Sequence, residues 1–356
     1  MKKLLIIAGG TGGHIFPALA VADALQQAGV VIEWMGTTVG MEKKLVGDRY
    51  PMHFLPVKGL RGKGGFEKIL APFRIIRAVF LAYFVIKKIN PDVVLGMGGY
   101  ASGPGGIATW LLRKPLVIHE QNAIAGMTNK ILSHFAKTVL QAFPTAFPAK
   151  IKAMTVGNPV RNTIKKTNDV VHQPLRILIL GGSQGSQFMN QLMMDFVANA
   201  DFRKDFLLWH QTGLRDFESV KTAYSAYEDF PHRVSPFIEK MDEAYAWADS
   251  VIARSGALTV SEIATAGLPS ILIPFPQAVD DHQYANASFL KQAGAALVFR
   301  ESDMDAKKLS VCLKDLISSP QQLAQMANCA TKCARPNAVL DIVKCLGDRG
   351  LGIGNQ

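Results

Sequence analysis

The sequence predicts an α/β protein of two domains, each built on a parallel sheet, and three observations carry that expectation. Leu4–His14 (LLIIAGGTGGH) and Ile177–Ser186 (ILILGGSQGS) both run from a short apolar stretch into a glycine-rich turn, with an amphipathic segment after each turn. Short β-rich runs alternate with helical stretches throughout, the rhythm of βαβ units whose sheets are covered on both faces. A chain of 356 residues also exceeds the size at which a single core keeps growing.

In chain order, the first half offers strands at Leu4–Ala8, Val30–Met35, Val93–Gly96, Leu116–His119 and Thr138–Gln141. The second half offers Arg176–Leu180, Phe206–Gln211, Ser250–Ala253, Ser270–Pro274 and Ala296–Phe299. Helices fill many of the gaps. The stretch Val93–Leu112 is uncharged and long enough to span a bilayer, but its six glycines and Pro104 break a helix, so a strand, a loop and a short helix are expected there. A boundary is expected near Gly157–Pro174, where polar residues and prolines precede the second glycine-loop strand. The expected division is 1–163, 164–336 and a helical tail over 337–356 that returns to the first domain.

Hydrophobic content of 49% with 19% charged residues describes a globular chain. The cysteines, Cys312, Cys329, Cys333 and Cys345, form no CxxC pair, which fits a reducing compartment and no metal site. The opening MKKLLIIAGG is too short for a signal peptide and reads as the first strand. The net charge of +11 is uneven: residues 1–165 hold 21 Lys/Arg against 7 Asp/Glu, and the remainder 18 against 21. The basic half is expected to face something anionic. Nucleic acid is disfavoured, because no helix-turn-helix, zinc-finger or RNP pattern occurs. Within this half, Ile69–Ile89 (ILAPFRIIRAVFLAYFVIKKI) mixes Arg74, Arg77, Lys87 and Lys88 with Phe73, Ile76, Phe80 and Phe84. It reads either as a core helix with charged ends or as a segment lying in a membrane interface on anionic phospholipid; the charge of its half favours the membrane.

The glycine turns place backbone N–H groups at helix starts, where phosphate is favoured. Gly9–His14 matches GxGxxG only loosely, since Ile15 stands where the third glycine belongs, and no GxxxxGK[ST] occurs. His14 at a helix start would stay neutral, as a general base requires, or would simply cap or hydrogen-bond. Gly98–Pro104 (GGYASGP) and His119–Asn122 (HEQN) follow successive strands, so three loops converge at carboxyl ends where ligands bind open sheets. Glu120 could bind a hydroxyl, act as base, or be a structural carboxylate held by backbone amides. In the second half, Arg254–Pro269 (RSGALTVSEIATAGLP) reads as strand end, tight turn and helix. The helix start suits a diphosphate, and Glu262 suits the two hydroxyls of a ribose. Asp280-Asp281-His282 reads as a polar loop, since no third set of ligands accompanies it.

Taken as an ordered set, GGTGGHIFPALAVA (9–22), GGYASGP (98–104), HEQNAIAG (119–126), GNPVR (157–161), GGSQGS (181–186) and RSGALTVSEIATAGLP (254–269) closely resemble the MurG-type family. These are UDP-GlcNAc:undecaprenyl-pyrophosphoryl-MurNAc-pentapeptide N-acetylglucosaminyltransferases of peptidoglycan synthesis. The likeness runs from Leu4 to about Asn286. It implies a GT-B fold, two Rossmann-like domains with the active site in a cleft. It further implies inverting transfer of GlcNAc from UDP-GlcNAc to the C4 hydroxyl of lipid I, forming lipid II, by a peripheral protein on the cytoplasmic face of the inner membrane. Donor contacts carry over to Thr11, Gly12, Gly13, Asn122, Arg161, Ser183, Ile238, Ala257, Leu258, Thr259, Val260, Ser261, Glu262 and Gln283. On that carry-over Ile238 meets the uracil, Glu262 the ribose and Gln283 the sugar hydroxyls. The acceptor pyrophosphate falls to Gly13, His14, Gly98, Gly99, Tyr100 and Ser102. His14 is the preferred base and Glu120 the reserve, with no cofactor or metal expected. UDP-GlcNAc, lipid I, the anionic membrane surface and other cell-wall synthesis proteins are the implied partners. The rivals are a soluble GT-B enzyme such as a UDP-GlcNAc 2-epimerase, an NAD-dependent oxidoreductase and a non-catalytic nucleotide-binding adaptor.

Overall fold

The computed structural model describes residues 1–38, 40–57, 65–165, 171–227 and 230–352, with side chains of 65–71 excepted. The chain forms two compact units, one of Met1–Val160 with Arg335–Gln356 and the other of Arg161–Ala334. Residues 166–170, within the expected boundary stretch, lie outside the described residues, as do the side chains of Ile69, Leu70 and Ala71 in the expected interfacial segment.

The first unit runs β1 (Lys3–Ile7), α1 (Gly12–Gln27), β2 (Val31–Thr37), α2 (Glu42–Val46), β3 (Met52–Leu55), α3 (Gly65–Ile89), β4 (Val93–Gly96), α4 (Ser102–Leu111), β5 (Leu116–Glu120), α5 (Met127–Leu132), β6 (Thr138–Gln141) and β7 (Met154–Thr155). Its sheet has the order β3-β2-β1-β4-β5-β6-β7, with every pairing parallel. β1 and β4 are buried along nearly their whole length, as expected of strands covered on both faces. Leu4 and Ile6 face one core with Ile15, Leu19, Val21 and Leu25 of α1, while Leu5 and Ile7 face the other with Ala82 and Ile86 of α3. This period of two is what the run of apolar residues LLII encodes.

The second unit runs β8 (Leu175–Leu180), α6 (Gln187–Asn199), β9 (Phe206–Gln211), α7 (Phe217–Ser225), β10 (His232–Ser235), α8 (Met241–Trp247), β11 (Ser250–Ala253), α9 (Ala257–Ala266), β12 (Ser270–Leu272), α10 (His282–Gln292), β13 (Ala296–Val298), α11 (Ala306–Ser318) and α12 (Pro320–Cys333). Its sheet, β10-β9-β8-β11-β12-β13, is likewise parallel throughout. A final helix, α13 (Ala338–Leu346), belongs to the first unit, where Ile342 and Leu346 join the α1 side of the core.

All ten strands read from the sequence are present, with ends moved by a residue or two. Three more were missed: β3, β7 and β10. β7 is only two residues long, and β3 and β10 are partly exposed edge or near-edge strands. They lack the apolar density by which the central strands announce themselves. The Val93–Leu112 stretch is β4, a loop and α4, as expected, although Gly103, Pro104, Gly105 and Gly106 lie within the first half of α4 and only Gly98 and Gly99 shape the loop. No described helix is long and apolar enough to cross a membrane.

Candidate active site

In each sheet the strand order reverses beside the first strand, between β1 and β4 and between β8 and β11. Ligands of open α/β sheets bind at the carboxyl ends of strands beside such a reversal. The four glycine-containing loops singled out in the sequence follow these four strands. Gly9–His14 and Gly98–Ala101 flank the reversal of the first unit; Gly181–Ser186 and Arg254–Gly256 flank that of the second.

In the first unit the loop after β1 is held from below by Glu42, a residue that motif reading passed over. The side chain is wholly buried, and its Oε1 accepts from Gly10 N–H (3.0 Å), Thr37 N–H (3.0 Å) and Thr37 Oγ1–H (3.1 Å). Thr11 and Gly13 are exposed and His14 is half-buried in the first turn of α1. The first turn of α1 holds no acidic residue and no side chain caps it, so the helix end stays electropositive. Gly99 (φ 86°) lies so close that a Cβ there would run into the Gly9 backbone, which is why the two loops can share one surface. Tyr100 is exposed at the rim. Ser102 corrects an expectation: it is fully buried and its hydroxyl turns onto the Ile7 (3.0 Å) and Gly98 (2.7 Å) carbonyls. It builds the loop and offers no donor to an acceptor pyrophosphate.

His14 Nδ1 lies 2.9 Å from Gln121 Oε1. The Glu120 side chain is buried, and both its oxygens are taken. Oε1 accepts from Asn122 N–H (3.0 Å) and Asn122 Nδ2 (3.2 Å), and Oε2 from Gly126 N–H (3.1 Å) and Asn129 Nδ2 (2.9 Å). Four donors fill a carboxylate's lone pairs. Of the roles left open for Glu120, the geometry is that of the structural carboxylate, which folds the 120–129 turn and orients Asn122. It is not a base in this arrangement, for want of a lone pair to receive a proton.

In the second unit Ser186 caps α6 by accepting from Met189 N–H (3.3 Å) and also accepts from Arg254 Nη2 (2.7 Å) and Nε (3.1 Å). Arg254 pairs with Glu301 through its Nη2 and donates to the Ile273 carbonyl (3.0 Å). The buried guanidinium thereby ties the loop after β8 to the end of β12, leaving Ser183 exposed at the loop's tip. Gln211, another residue the sequence reading missed, ties the turn next to Ser183 to Ile238. Its Nε2 donates to the Gly182 carbonyl (2.9 Å) and its Oε1 accepts from Ile238 N–H (2.9 Å). Ile238 itself is buried and its N–H is occupied, so it is left to offer a base its carbonyl oxygen.

Ala257–Glu262 form the first half of α9, which has Gly256 at its N-cap, no side-chain cap and no acidic residue in the first turn. Val260 packs into the core, whereas Leu258, Thr259, Ser261 and Glu262 are half-buried. Tyr245 Oη donates to Glu262 Oε2 at 3.1 Å. Burial pushes the Glu262 carboxyl up to about 6, opposed by the positive charge of Arg161 and the Tyr245 hydrogen bond. Arg161 also donates to the Glu239 carbonyl (3.4 Å). Gln283, at the start of α10, accepts from Phe275 N–H through Oε1 (3.0 Å), and Ser255 Oγ donates to the Gln283 carbonyl (2.8 Å). The Gln283 side chain thereby keeps its amide NH2 as a donor. Asp281 is paired with Arg300 (2.7 Å) and His282 Nδ1 lies on the Val279 carbonyl (2.7 Å), the arrangement of a polar loop. Among the described residues no three His, Cys, Asp or Glu side chains gather to hold a metal ion.

α3 presents two faces. Ala78, Ala82, Ile86 and Ile89 are buried at helical spacing, while Phe73, Ile76, Phe80 and Phe84 remain 51–70% exposed among exposed Arg74, Arg77, Lys87 and Lys88. α4 packs alongside α3. It adds exposed Trp110 and Leu111, and α5 adds Met127 and Ile131, none of which the sequence reading had singled out. So many exposed large apolar side chains on neighbouring helices, bordered by cations, mark a surface suited to meet more than water.

Comparison with known proteins agrees with this geometry. Residues 4–141 match the glycosyltransferase family 28 N-terminal domain and residues 176–342 its C-terminal domain. A Coxiella burnetii UDP-N-acetylglucosamine–N-acetylmuramyl-(pentapeptide) pyrophosphoryl-undecaprenol N-acetylglucosamine transferase is 47% identical, covering 96% of this chain and 97% of its own. The enzyme of the same name from Marinobacter nauticus is 46% identical, covering 97% of each. The crystal structure of Acinetobacter baumannii MurG superposes with a TM-score of 0.86 at 39% identity, over 98% of this chain and 100% of that one. A UDP-N-acetylglucosamine 2-epimerase shares the fold alone, with a TM-score of 0.65 at 13% identity over 98% and 96%. The two parallel-sheet units are thus those of a GT-B-like glycosyltransferase, and the chain belongs to glycosyltransferase family 28 and, within it, to the UDP-N-acetylglucosamine–N-acetylmuramyl-(pentapeptide) pyrophosphoryl-undecaprenol N-acetylglucosamine transferases.

Proposed function

We propose that the chain transfers GlcNAc from UDP-GlcNAc to the C4 hydroxyl of lipid I, undecaprenyl-pyrophosphoryl-MurNAc-pentapeptide, forming lipid II with inversion at the anomeric carbon. The observation that carries this reading is the pairing of an uncapped α9 with Glu262 one turn and a half along it. That pairing suits a nucleoside diphosphate, whose phosphates need N–H donors and whose ribose needs a carboxylate acceptor. Arg161, whose charge acts on Glu262, and the α9 dipole stabilise the departing diphosphate as its bond to the anomeric carbon breaks and the electron pair leaves with UDP. The Gly9–Gly13 and Gly98–Gly99 loops suit the pyrophosphate of the acceptor. His14 serves as general base: it takes the proton of the acceptor hydroxyl while that oxygen bonds the anomeric carbon.

The lipid anchor of the acceptor requires the protein to work at a membrane. The exposed aromatic face of α3, with Trp110 and Leu111 of α4 and the surrounding lysines and arginines, supports peripheral docking on anionic phospholipid at the cytoplasmic face of the inner membrane. The test is UDP release from UDP-GlcNAc with and without lipid I. Release that depends on lipid I, with GlcNAc recovered in the lipid fraction, is expected; equal turnover without lipid I overturns the reading in favour of an epimerase-like activity.

A further inference from the structure

Beyond the glycine loops, His14 is the outer end of a chain of hydrogen bonds that begins in the protein interior. The Gly157 carbonyl, which can only accept, lies 2.9 Å from Nε2 of the fully buried His119. That fixes the proton of His119 on Nε2. Desolvation holds the His119 ring far below its ordinary range, at about 4, so it is neutral at physiological pH and its Nδ1 can only accept. The side chain facing Nδ1 is Gln121, at 3.1 Å, and the end turned to it must therefore be the NH2. The carbonyl end, Oε1, consequently faces His14 Nδ1 at 2.9 Å. An amide oxygen cannot donate, so His14 must carry its proton on Nδ1, and Nε2 is left with the lone pair. The order of donors and acceptors is set by one backbone carbonyl at the far end, so no side-chain amide orientation has to be assumed.

The chain is also rigidly mounted. Asn158 Nδ2 donates to the Gln121 carbonyl at 3.0 Å, and Gln121 Nε2 has a second acceptor in the His119 carbonyl at 3.4 Å. The His14 ring lies against Gly98, where an added Cβ would stand 2.9 Å from both Cε1 and Nδ1.

We propose that Gln121 is a positioning residue that locks His14 in the Nδ1–H tautomer, with its Nε2 lone pair directed to the acceptor, and that His119 and the Gly157 carbonyl set the sense of that lock. The inference builds on His14 as the base, but it concerns the ground-state tautomer and is measurable without turnover. Gln121 touches no substrate in this account; it acts through His14.

Nitrogen-15 NMR of the histidine-labelled full-length protein, at a pH above the imidazole range, reads the tautomer directly. The expected result is a protonated Nδ1 and an unprotonated Nε2 on His14; the opposite tautomer in the wild-type protein overturns the proposal. In Gln121→Met the acceptor is gone, so the Nε2–H form should appear. The value of kcat should then fall at least about tenfold, within the span that general-base catalysis supplies, while KM for UDP-GlcNAc stays put. A Gln121→Met enzyme with wild-type kcat also overturns the proposal. If the tautomer is as stated but His14→Ala still transfers GlcNAc, the lock stands and the assignment of the base falls, so the two failures are distinguishable.

Discussion

Replacing Glu262 by Gln should make the protein more stable and a poorer enzyme, both effects arising from the same carboxylate. Its pKa is pushed from the ordinary 4.5 up to about 6, mainly by burial. A carboxylic acid lifted in this way binds protons more readily in the folded than in the unfolded chain. Stability therefore falls as pH rises from about 4.5 through about 6, and above that the full cost is present. At ~1.4 kcal/mol per pH unit the cost is about 2 kcal/mol, reduced toward about 1 kcal/mol by the solvent that reaches this half-buried side chain. Gln has no charge to desolvate and can still accept from Tyr245 Oη, now 3.1 Å from the carboxylate. Glu262→Gln should then raise the Tm of the second unit at pH 8 by roughly 2–8 °C, at the ~2–4 °C per kcal/mol typical of such sizes, and leave it unchanged near pH 4. Donor binding should move the other way. Losing an ionised acceptor for two ribose hydroxyls removes roughly 1.5–3 kcal/mol, or about 10- to 100-fold in the Kd of UDP-GlcNAc. Differential scanning calorimetry at both pH values and titration calorimetry with UDP-GlcNAc read the two halves. A variant that is less stable at pH 8, or one that binds the donor as wild type does, excludes this role for the Glu262 carboxylate.

Other perturbations probe the remaining parts of the account. Gly99→Ala places a Cβ against the Gly9 backbone at a φ of 86°. It should abolish transfer to lipid I while leaving UDP binding by the second unit intact; undiminished transfer would show that the two loops need not touch. Arg254→Met strands the Glu301 carboxylate and loosens Ser186, so urea denaturation should register a loss of about 3–5 kcal/mol; a loss under about 1 kcal/mol contradicts the structural role. The double change Phe80→Ser, Phe84→Ser on the exposed face of α3 should cut sedimentation with anionic vesicles by at least about tenfold, at ~1.5–3 kcal/mol per fully buried aromatic side chain. The residual binding should weaken further in high salt; unchanged sedimentation would move the membrane contact elsewhere.

Much of this architecture is legible in the sequence because parallel sheets buried on both faces must be written as short apolar runs. LLII before Gly9 and ILIL before Gly181 leave little else for those segments to be. The two-residue β7 and the partly exposed β3 and β10 carry no such signature, since their pairing is decided by neighbours rather than by their own composition. The site divides in the same manner. Loops that approach phosphate are spelled in glycine and are visible, as at Gly9–Gly13 and Gly98–Gly99. The side chains that hold those loops are ordinary polar residues whose roles exist only in three dimensions. Glu42 is 32 residues from Gly10, and Gln211 stands 27 from Ile238. Glu120 and Ser102 show the converse, since a motif names the residue but does not say which way its oxygens turn. Gln121 sits in the midst of the quoted HEQN stretch and gained significance only once its two amide ends were seen to face different histidines.

His14→Ala separates removal of the acceptor proton, assigned to His14, from binding of the donor. The variant should bind UDP-GlcNAc with wild-type affinity by titration calorimetry, while incorporation of labelled GlcNAc into lipid I falls by about 10²- to 10⁴-fold, the usual contribution of a general base. Incorporation at the wild-type rate would contradict the account.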